Sequence, residues 1–223
     1  MLMTAIHNGN RNPPMHCEAG IGLIEVLITL FILAIGLLGI AGTQFMSKRA
    51  SYESVQRTTA TFLANDIIER MRANSNVLFN YVNGDTPWGG GTITTVPPVP
   101  AANNAIAIAL YDLYEWEQAI DGVAEIAGTV AAGTPTGGLV FPSACVYTTV
   151  PVASTSQTGQ YMVAIVWRGS AKLSDPVNPN LPPAPAPDPY ECGRTSGNYN
   201  SEGSTTDNAH RRILIVNTYI AQN

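Results

Sequence analysis

The chain has 223 residues, of which 12% are charged, and its 11 Lys and Arg against 16 Asp and Glu give a net charge of −5. This acidic balance argues against a nucleic-acid-binding protein, and a mean hydropathy of +0.08 argues against a disordered, solvated chain. Three cysteines without paired spacing fit neither a disulfide-dense scaffold nor a zinc site. The length allows one ordinary domain with an appendage, or two small domains.

Most of the hydrophobicity lies in one N-terminal segment. Residues 21–46 contain a single charged residue, Glu25. A helix of this length covers the ~30 Å hydrocarbon core of a bilayer at about 1.5 Å per residue. A secretory signal peptide has a shorter apolar core that is followed, not preceded, by its cleavage site. The segment is therefore predicted to stay in a membrane as a helix.

Two features distinguish this segment from an ordinary membrane anchor. An ionised side chain costs about 2.5 to 3.5 kcal/mol at the bilayer centre, so Glu25 either lies at headgroup level or serves another purpose. The polar residues ahead of the segment end in Gly20, and the sequence from there to Glu25 reads GIGLIE.

This pattern resembles the class III signal of type IV pilins and type II secretion pseudopilins. In that family a prepilin peptidase cuts after the glycine and N-methylates the new terminus. The resemblance implies cleavage after Gly20 and a methylated Ile21. The new amine lies about one helical turn from Glu25, and since loss of one partner of a buried pair is costly, Glu25 is predicted to act in assembly. The departures are Ile21 where Phe is commonest and Gly22 where Thr or Ser is usual. The start of the leader, at Met1, Met3 or Met15, stays open.

Residues 22–44 and 58–75 together resemble the PilV-type minor pilins in particular. The resemblance implies a role in pilus assembly or priming, adhesion and twitching motility. Its implied partners are the prepilin peptidase, other minor pilins, the major pilin and the inner-membrane assembly platform, with no cofactor. A type II secretion pseudopilin is the alternative within the superfamily.

The charges that flank the apolar segment bear on its orientation. Arg11 precedes it, whereas Lys48, Arg49 and Arg57 follow it, and the positive-inside rule alone would keep the C-terminal part in the cytoplasm. Long domains translocate with little regard for this rule, and the leader must face a cytoplasmic-side peptidase. We therefore expect a single-pass inner-membrane protein with a periplasmic C-terminal domain.

The helix is predicted to continue from about Leu23 to Ala73, because no proline interrupts it and Asn74-Ser75-Asn76 is a plausible terminator. Its second half carries an apolar stripe for packing on a soluble domain. That stripe comprises Phe45, Tyr52, Val55, Thr59, Phe62, Leu63, Ile67 and Met71. Two i,i+4 ion pairs are expected beside it, Glu53 with Arg57 and Asp66 with Arg70.

Residues 77–103 read as a loop with a short strand at 92–96. The triple glycine 89–91 lacks the Lys-Ser/Thr of a phosphate-binding loop. A second helix is predicted over 104–127, with its acidic residues on a solvated face.

Three strands follow, at 139–152, 160–168 and 211–220, and hairpin-sized turns favour an antiparallel sheet. The predicted fold class is α+β, a pilin-like long helix packed on this sheet. The proline-rich segment 176–189 must be extended. A surface excursion before the last strand is favoured, and a partner-binding polyproline segment is the alternative.

Cysteines and histidines bear on compartment and catalysis. Cys17 falls in the leader, which leaves Cys145 and Cys192 as a predicted disulfide in the oxidising periplasm. His210, the only histidine after cleavage, sits beside Arg211 and Arg212 in a predicted solvated strand entrance. We therefore expect no metal site and no enzyme; a membrane-anchored periplasmic enzyme is the alternative of another class. The predicted divisions are a leader at 1–20, a helix at 21–73 and a head at 74–223.

Overall fold

A computed structural model describes residues 22–123, 126–127, 134–135, 137–151, 154–178 and 187–222. The helices are α1 (Leu23–Ala73) and α2 (Ala105–Asp121), with 3-10 helices at Ser75–Tyr81 and Pro189–Glu191. The strands are β1 (Ile126–Ala127), β2 (Thr134–Pro135), β3 (Ser143–Thr148), β4 (Gly159–Arg168) and β5 (Arg211–Ile220). By packing, the chain divides into two units, Met1–Ser47 and Lys48–Asn223, so that α1 contributes to both.

The first helix runs without a break over the predicted span and ends before Asn74, which confirms its length. The buried face of its second half differs in part from the predicted stripe. It consists of Gln56, Ala60, Leu63, Ala64, Ile67, Ile68 and Met71. The predicted Tyr52, Val55 and Phe62 are instead 47%, 57% and 78% exposed.

The buried face of α1 contacts α2 through a large side chain. Ala60 and Ala64 are fully buried, and the Trp116 indole N–H of α2 donates to the Leu63 carbonyl oxygen at 2.8 Å. Trp116 is fully buried and packs edge to face on Trp88, with ring centroids 6.1 Å apart.

The second helix ends six residues earlier than predicted. Asn104 caps its start by accepting from the Ala107 N–H at 3.0 Å. Gly122 ends it in a left-handed conformation, φ 68°, and a Cβ at this position would collide with the Gly137 carbonyl. The helix prediction is therefore wrong at residues 122–123 and at 126–127, where β1 lies, and residues 124–125 lie outside the described residues.

The last three strands form an antiparallel meander in the order β3-β4-β5. Cys145 lies opposite Ala164, and Val163 lies opposite Val216. β5 has the predicted bounds and β4 is central, whereas β3 is shorter than the predicted 139–152. The Leu139 and Val140 N–H groups donate to the Ile120 carbonyl of α2 and to the Gln56 side chain of α1.

Both faces of this sheet are covered. One face packs on α1 and α2 through Val146, Val163 and Ile165. The other face packs on Cys192 and Tyr199, which lie between β4 and β5 in the sequence. These layers confirm the predicted α+β, pilin-like class, although no strand forms over 92–96.

Candidate functional site

The predicted prepilin signal, Gly20 to Glu25, runs into the start of α1 at Leu23. Glu25 lies in the first turn, where its backbone N–H donates to the Gly22 carbonyl oxygen at 3.0 Å. A carboxylate at this end of a helix is favoured by the helix dipole. Within the described part of the chain, the Glu25 carboxylate has no hydrogen bond or ion pair. Gly20 and Ile21 lie outside the described residues, so cleavage and methylation remain predictions.

The first half of α1 is apolar all round. Its large side chains from Leu23 to Met46 are between 44% and 80% exposed, and by length and composition α1 can cross a membrane. Its two threonine hydroxyls bond within the helix, Thr29 to the Val26 carbonyl at 2.9 Å and Thr43 to the Ile40 carbonyl at 2.8 Å. Such hydroxyls enter an apolar environment without an unsatisfied donor.

Past residue 47 an exposed apolar stripe continues on α1. We call Tyr52, Val55 and Phe62 the outer stripe. Steps of three and seven place these side chains on one side of the helix. The head therefore buries one stripe of α1 in its own core and leaves a second one open to solvent.

A polar contact connects Arg49 and Glu53 of α1 to Ser170 in the loop after β4. The Arg49 guanidinium donates to the Ser170 Oγ at 2.9 Å and also to its carbonyl oxygen. Glu53 accepts from the Ser170 N–H at 2.5 Å and lies 3.9 Å from Arg212. The predicted Glu53–Arg57 pair is thus replaced by longer-range contacts, whereas the Asp66–Arg70 pair forms at 3.1 Å.

Electrostatics at this contact favour an ionised carboxylate. Burial, the largest single influence, raises the pKa of Glu53, but hydrogen bonds from Ser170 and the charge of Arg212 together hold it below its ordinary value. Glu53 therefore remains an anionic partner for Ser170 and Arg212 at neutral pH.

A disulfide and the buried Arg211 hold the described residues around Cys192, between β4 and β5. Cys145 and Cys192 form the predicted disulfide, which is confirmed, with both residues fully buried. Arg211 is 1% exposed and pairs with Asp175 at 2.7 Å, so the solvated strand entrance predicted for it is wrong.

Arg211 also grips both ends of the proline-rich segment. Its guanidinium donates to the Pro176 carbonyl at 2.7 Å and to the Tyr190 carbonyl at 2.6 Å. Residues 179–186 between these ends lie outside the described residues. Arg211, which the sequence predicts to be solvated, therefore has a structural role as the common donor to both flanks of this segment.

The acidic residues of α2 are not all solvated, contrary to prediction. Glu117 is fully buried and accepts from the backbone N–H groups of Gly89, Thr92 and Ile93 at 2.7 to 2.9 Å, and from the Thr92 hydroxyl. Asp121 accepts from Gly90 and Gly91 at 2.7 and 2.8 Å. The triple-glycine loop thus binds anions, but these anions are carboxylates of its own chain.

Little in the described ranges suggests catalysis. No three His, Cys, Asp or Glu side chains there form a group that could hold a metal ion. The His210 Nδ1 lies 3.0 Å from the Gly169 carbonyl oxygen, in a contact that ties the loop after β4 to the start of β5.

Comparison with known proteins identifies the N-terminal signal. A model of the prokaryotic N-terminal methylation motif matches residues 15–41, the stretch that contains Gly20, Ile21 and Glu25. Searches of curated proteins and of solved structures gave no significant match. The motif implies processing by a prepilin peptidase, and the proteins that carry it are typically structural. The match is therefore to a type IV pilin-like prepilin signal and covers only the N-terminal part of the chain.

Proposed function

We propose that this protein is a minor pilin of a type IV pilus. Residues 1–20 are a leader that is removed after Gly20, residues 21–73 form the helix with a methylated Ile21 at its start, and residues 74–223 form a periplasmic head. The observation that carries the proposal is an apolar α1 surface, unburied between Leu23 and Met46, with Glu25 as its single charge.

The mechanism is one of physical exchange of neighbours. Within the inner membrane, lipid covers the apolar half of α1; in a filament, the same surface packs on helices of other subunits. Cleavage creates an amine at Ile21, about one helical turn from Glu25. Each charge is costly alone in an apolar filament core, and removal of one partner of a buried pair costs more than the pair contributes.

Replacement of Glu25 by alanine is expected to spare membrane insertion and to reduce incorporation into filaments at least tenfold. The uncompensated Ile21 amine would then be buried without its partner. Quantitative immunoblotting of sheared filaments and of membranes measures both steps. Glu69→Ala, which removes a 67% exposed carboxylate from the same helix, is the matched control. Equal incorporation of the Glu25 and Glu69 variants would refute the assembly role.

The outer stripe supports the same proposal and can be tested separately. Phe62→Ala removes a 78% exposed ring and is expected to leave the melting temperature nearly unchanged, since exposed sites rarely shift stability by more than about 0.5 kcal/mol. We expect severalfold lower incorporation into filaments, because a neighbouring subunit loses the ring as a contact. Tyr219→Ala, a 69% exposed aromatic on β5, is the control. A Phe62 variant that assembles as well as the Tyr219 variant would contradict this.

A type II secretion pseudopilin is the second candidate, because it shares the signal and the membrane-anchored helix. The sequence of residues 58–75 favours the minor pilin. Inferred partners are the prepilin peptidase, other minor pilins, the major pilin and the inner-membrane assembly platform. Roles in priming, adhesion and twitching motility belong to this proposal. Loss of twitching in a deletion strain with intact protein secretion would separate the two candidates.

A further inference from the structure

The two lysines of the chain occupy related positions in the fold. The sequence contains only Lys48 and Lys172, and both are exposed. Lys48 precedes Arg49 in α1, and Lys172 follows Ser170 by two residues. Because the Arg49 guanidinium bonds to Ser170, two segments that are 121 residues apart in sequence bring both lysines to one region of the unit Lys48–Asn223.

The loop that carries Lys172 is firmly held. We call residues 169–173 the Ser170 loop. The Gly169 and Leu173 N–H groups donate to the His210 and Ala209 carbonyls, each at 2.7 Å. Arg212 donates to the Ala171 carbonyl at 2.5 Å. A loop with these bonds presents the exposed Lys172 and the 59% exposed Leu173 in a fixed conformation.

The positive charge of this region is not cancelled by its acidic neighbours. Glu53 is occupied by Ser170 and Arg212. Asp175 is 14% exposed and pairs with both Arg194 and Arg211. Among the described residues neither lysine takes part in an ion pair, which leaves both ammonium groups open to an external anion there.

Sequence position indicates which anion meets these groups. Arg49 lies three residues after Met46, the end of the apolar segment, which is roughly 4.5 Å along a helix. Residues at this level of a membrane-spanning helix meet lipid headgroups. An exposed leucine beside a lysine also suits an interface, since one side chain contacts acyl chains while the other reaches phosphate.

We propose that Lys48, Lys172 and the exposed Leu173 form a lipid-contact surface that binds anionic phospholipid headgroups at the periplasmic side of the membrane. The inference rests on the membrane-anchored orientation proposed above. While the subunit awaits assembly, this surface holds the Ser170 loop against the bilayer, and entry into a filament requires its release. Lipid, rather than a second copy of the chain, is the occupant.

The test uses the full chain reconstituted into phosphatidylcholine vesicles with or without 30% phosphatidylglycerol, a composition chosen for the assay. Hydrogen exchange of the backbone amides of residues 169–173 is the measurement. We expect at least fivefold slower exchange in the anionic vesicles, and loss of this difference in 0.5 M salt or in the double variant Lys48→Gln/Lys172→Gln. Arg72→Gln removes a half-exposed cation from the end of α1 and should keep the difference.

Each remaining outcome has a defined meaning. Equal exchange in both lipids, with the chain co-floating with the vesicles, would overturn the lipid contact but leave membrane anchoring intact. Failure to float with either vesicle would overturn the anchoring itself. Protection that follows the protein-to-lipid ratio rather than the anionic lipid content would assign the surface to a second copy and refute the proposal. Unchanged melting temperatures of the variants would exclude misfolding as the cause.

Discussion

A Gly20→Leu chain is expected to accumulate as an uncleaved precursor that keeps its twenty-residue leader and an unmodified terminus. Glycine lets a second backbone approach closely because it lacks a Cβ, and the proposed peptidase must reach the peptide bond after Gly20. Almost complete loss of processing is the expected effect. Since methylation follows cleavage, the precursor should also be absent from sheared filaments.

Intact-mass measurement of the protein from cells with an active prepilin peptidase provides the readout. Gly22→Ala is the matched control, because a Cβ at Gly22 meets only Ile24 at 3.8 Å, an ordinary contact distance. This variant should be cleaved and methylated normally. A Gly20→Leu product with the mature mass would disprove the proposed signal, and with it the proposal that the mature chain begins at Ile21.

Glu117→Ala is expected to cost the head at least about 3 kcal/mol of its free energy of unfolding, because it removes a fully buried acceptor from three backbone N–H donors of the 89–93 loop. Hydrogen bonds to a charged group contribute about 1.5 to 3 kcal/mol each. The expected loss is a large share of the roughly 5 to 15 kcal/mol typical of a domain. Trp88 precedes this loop and packs on Trp116, so the defect should spread into the core.

Denaturant titration of the disulfide-intact protein measures this cost, with the tryptophan fluorescence as signal. Glu115→Ala removes a 44% exposed carboxylate from the same helix and should cost under about 1 kcal/mol. If the two variants unfold at the same denaturant concentration, the buried carboxylate does not stabilise the loop as argued.

Elements defined by local pattern were predictable from the sequence. The absence of proline and the terminator at Asn74 predict the full length of α1, and the apolar run of β4 predicts a central strand. The bounds of β5 agree residue for residue. The predicted overrun of α2 ignored a local signal, since glycine after Asp121 is a frequent helix end.

Features that depend on distant partners were not predictable in the same way. Glu117 looks like a solvated residue until the loop at 89–93 folds over it. Gln56 looks like a surface residue of α1, yet its buried amide bonds to Gly138 and Val140. In both cases the partner is more than twenty residues away in the sequence, and the hydrophobic periodicity of a helix cannot indicate so distant a contact.

Arg49 shows that a cation flanking the apolar segment can have a structural role. The count places Lys48, Arg49 and Arg57 after the apolar segment, as if they opposed translocation. In the fold, Arg49 is bonded to Ser170 and thus has a structural use. A cation that is needed for folding does not by itself indicate on which side of the membrane it lies.

The division of α1 between two packing units determines where this protein can be truncated for recombinant production. A fragment that begins at Asn74 would lack the buried side chains that α1 supplies, from Gln56 to Met71, and would expose the matching surface of α2. A fragment that begins at Lys48 would keep these side chains and the contacts of Arg49 and Glu53 with Ser170. It would lack the apolar segment at residues 21–46. Crystallisation trials should therefore start there.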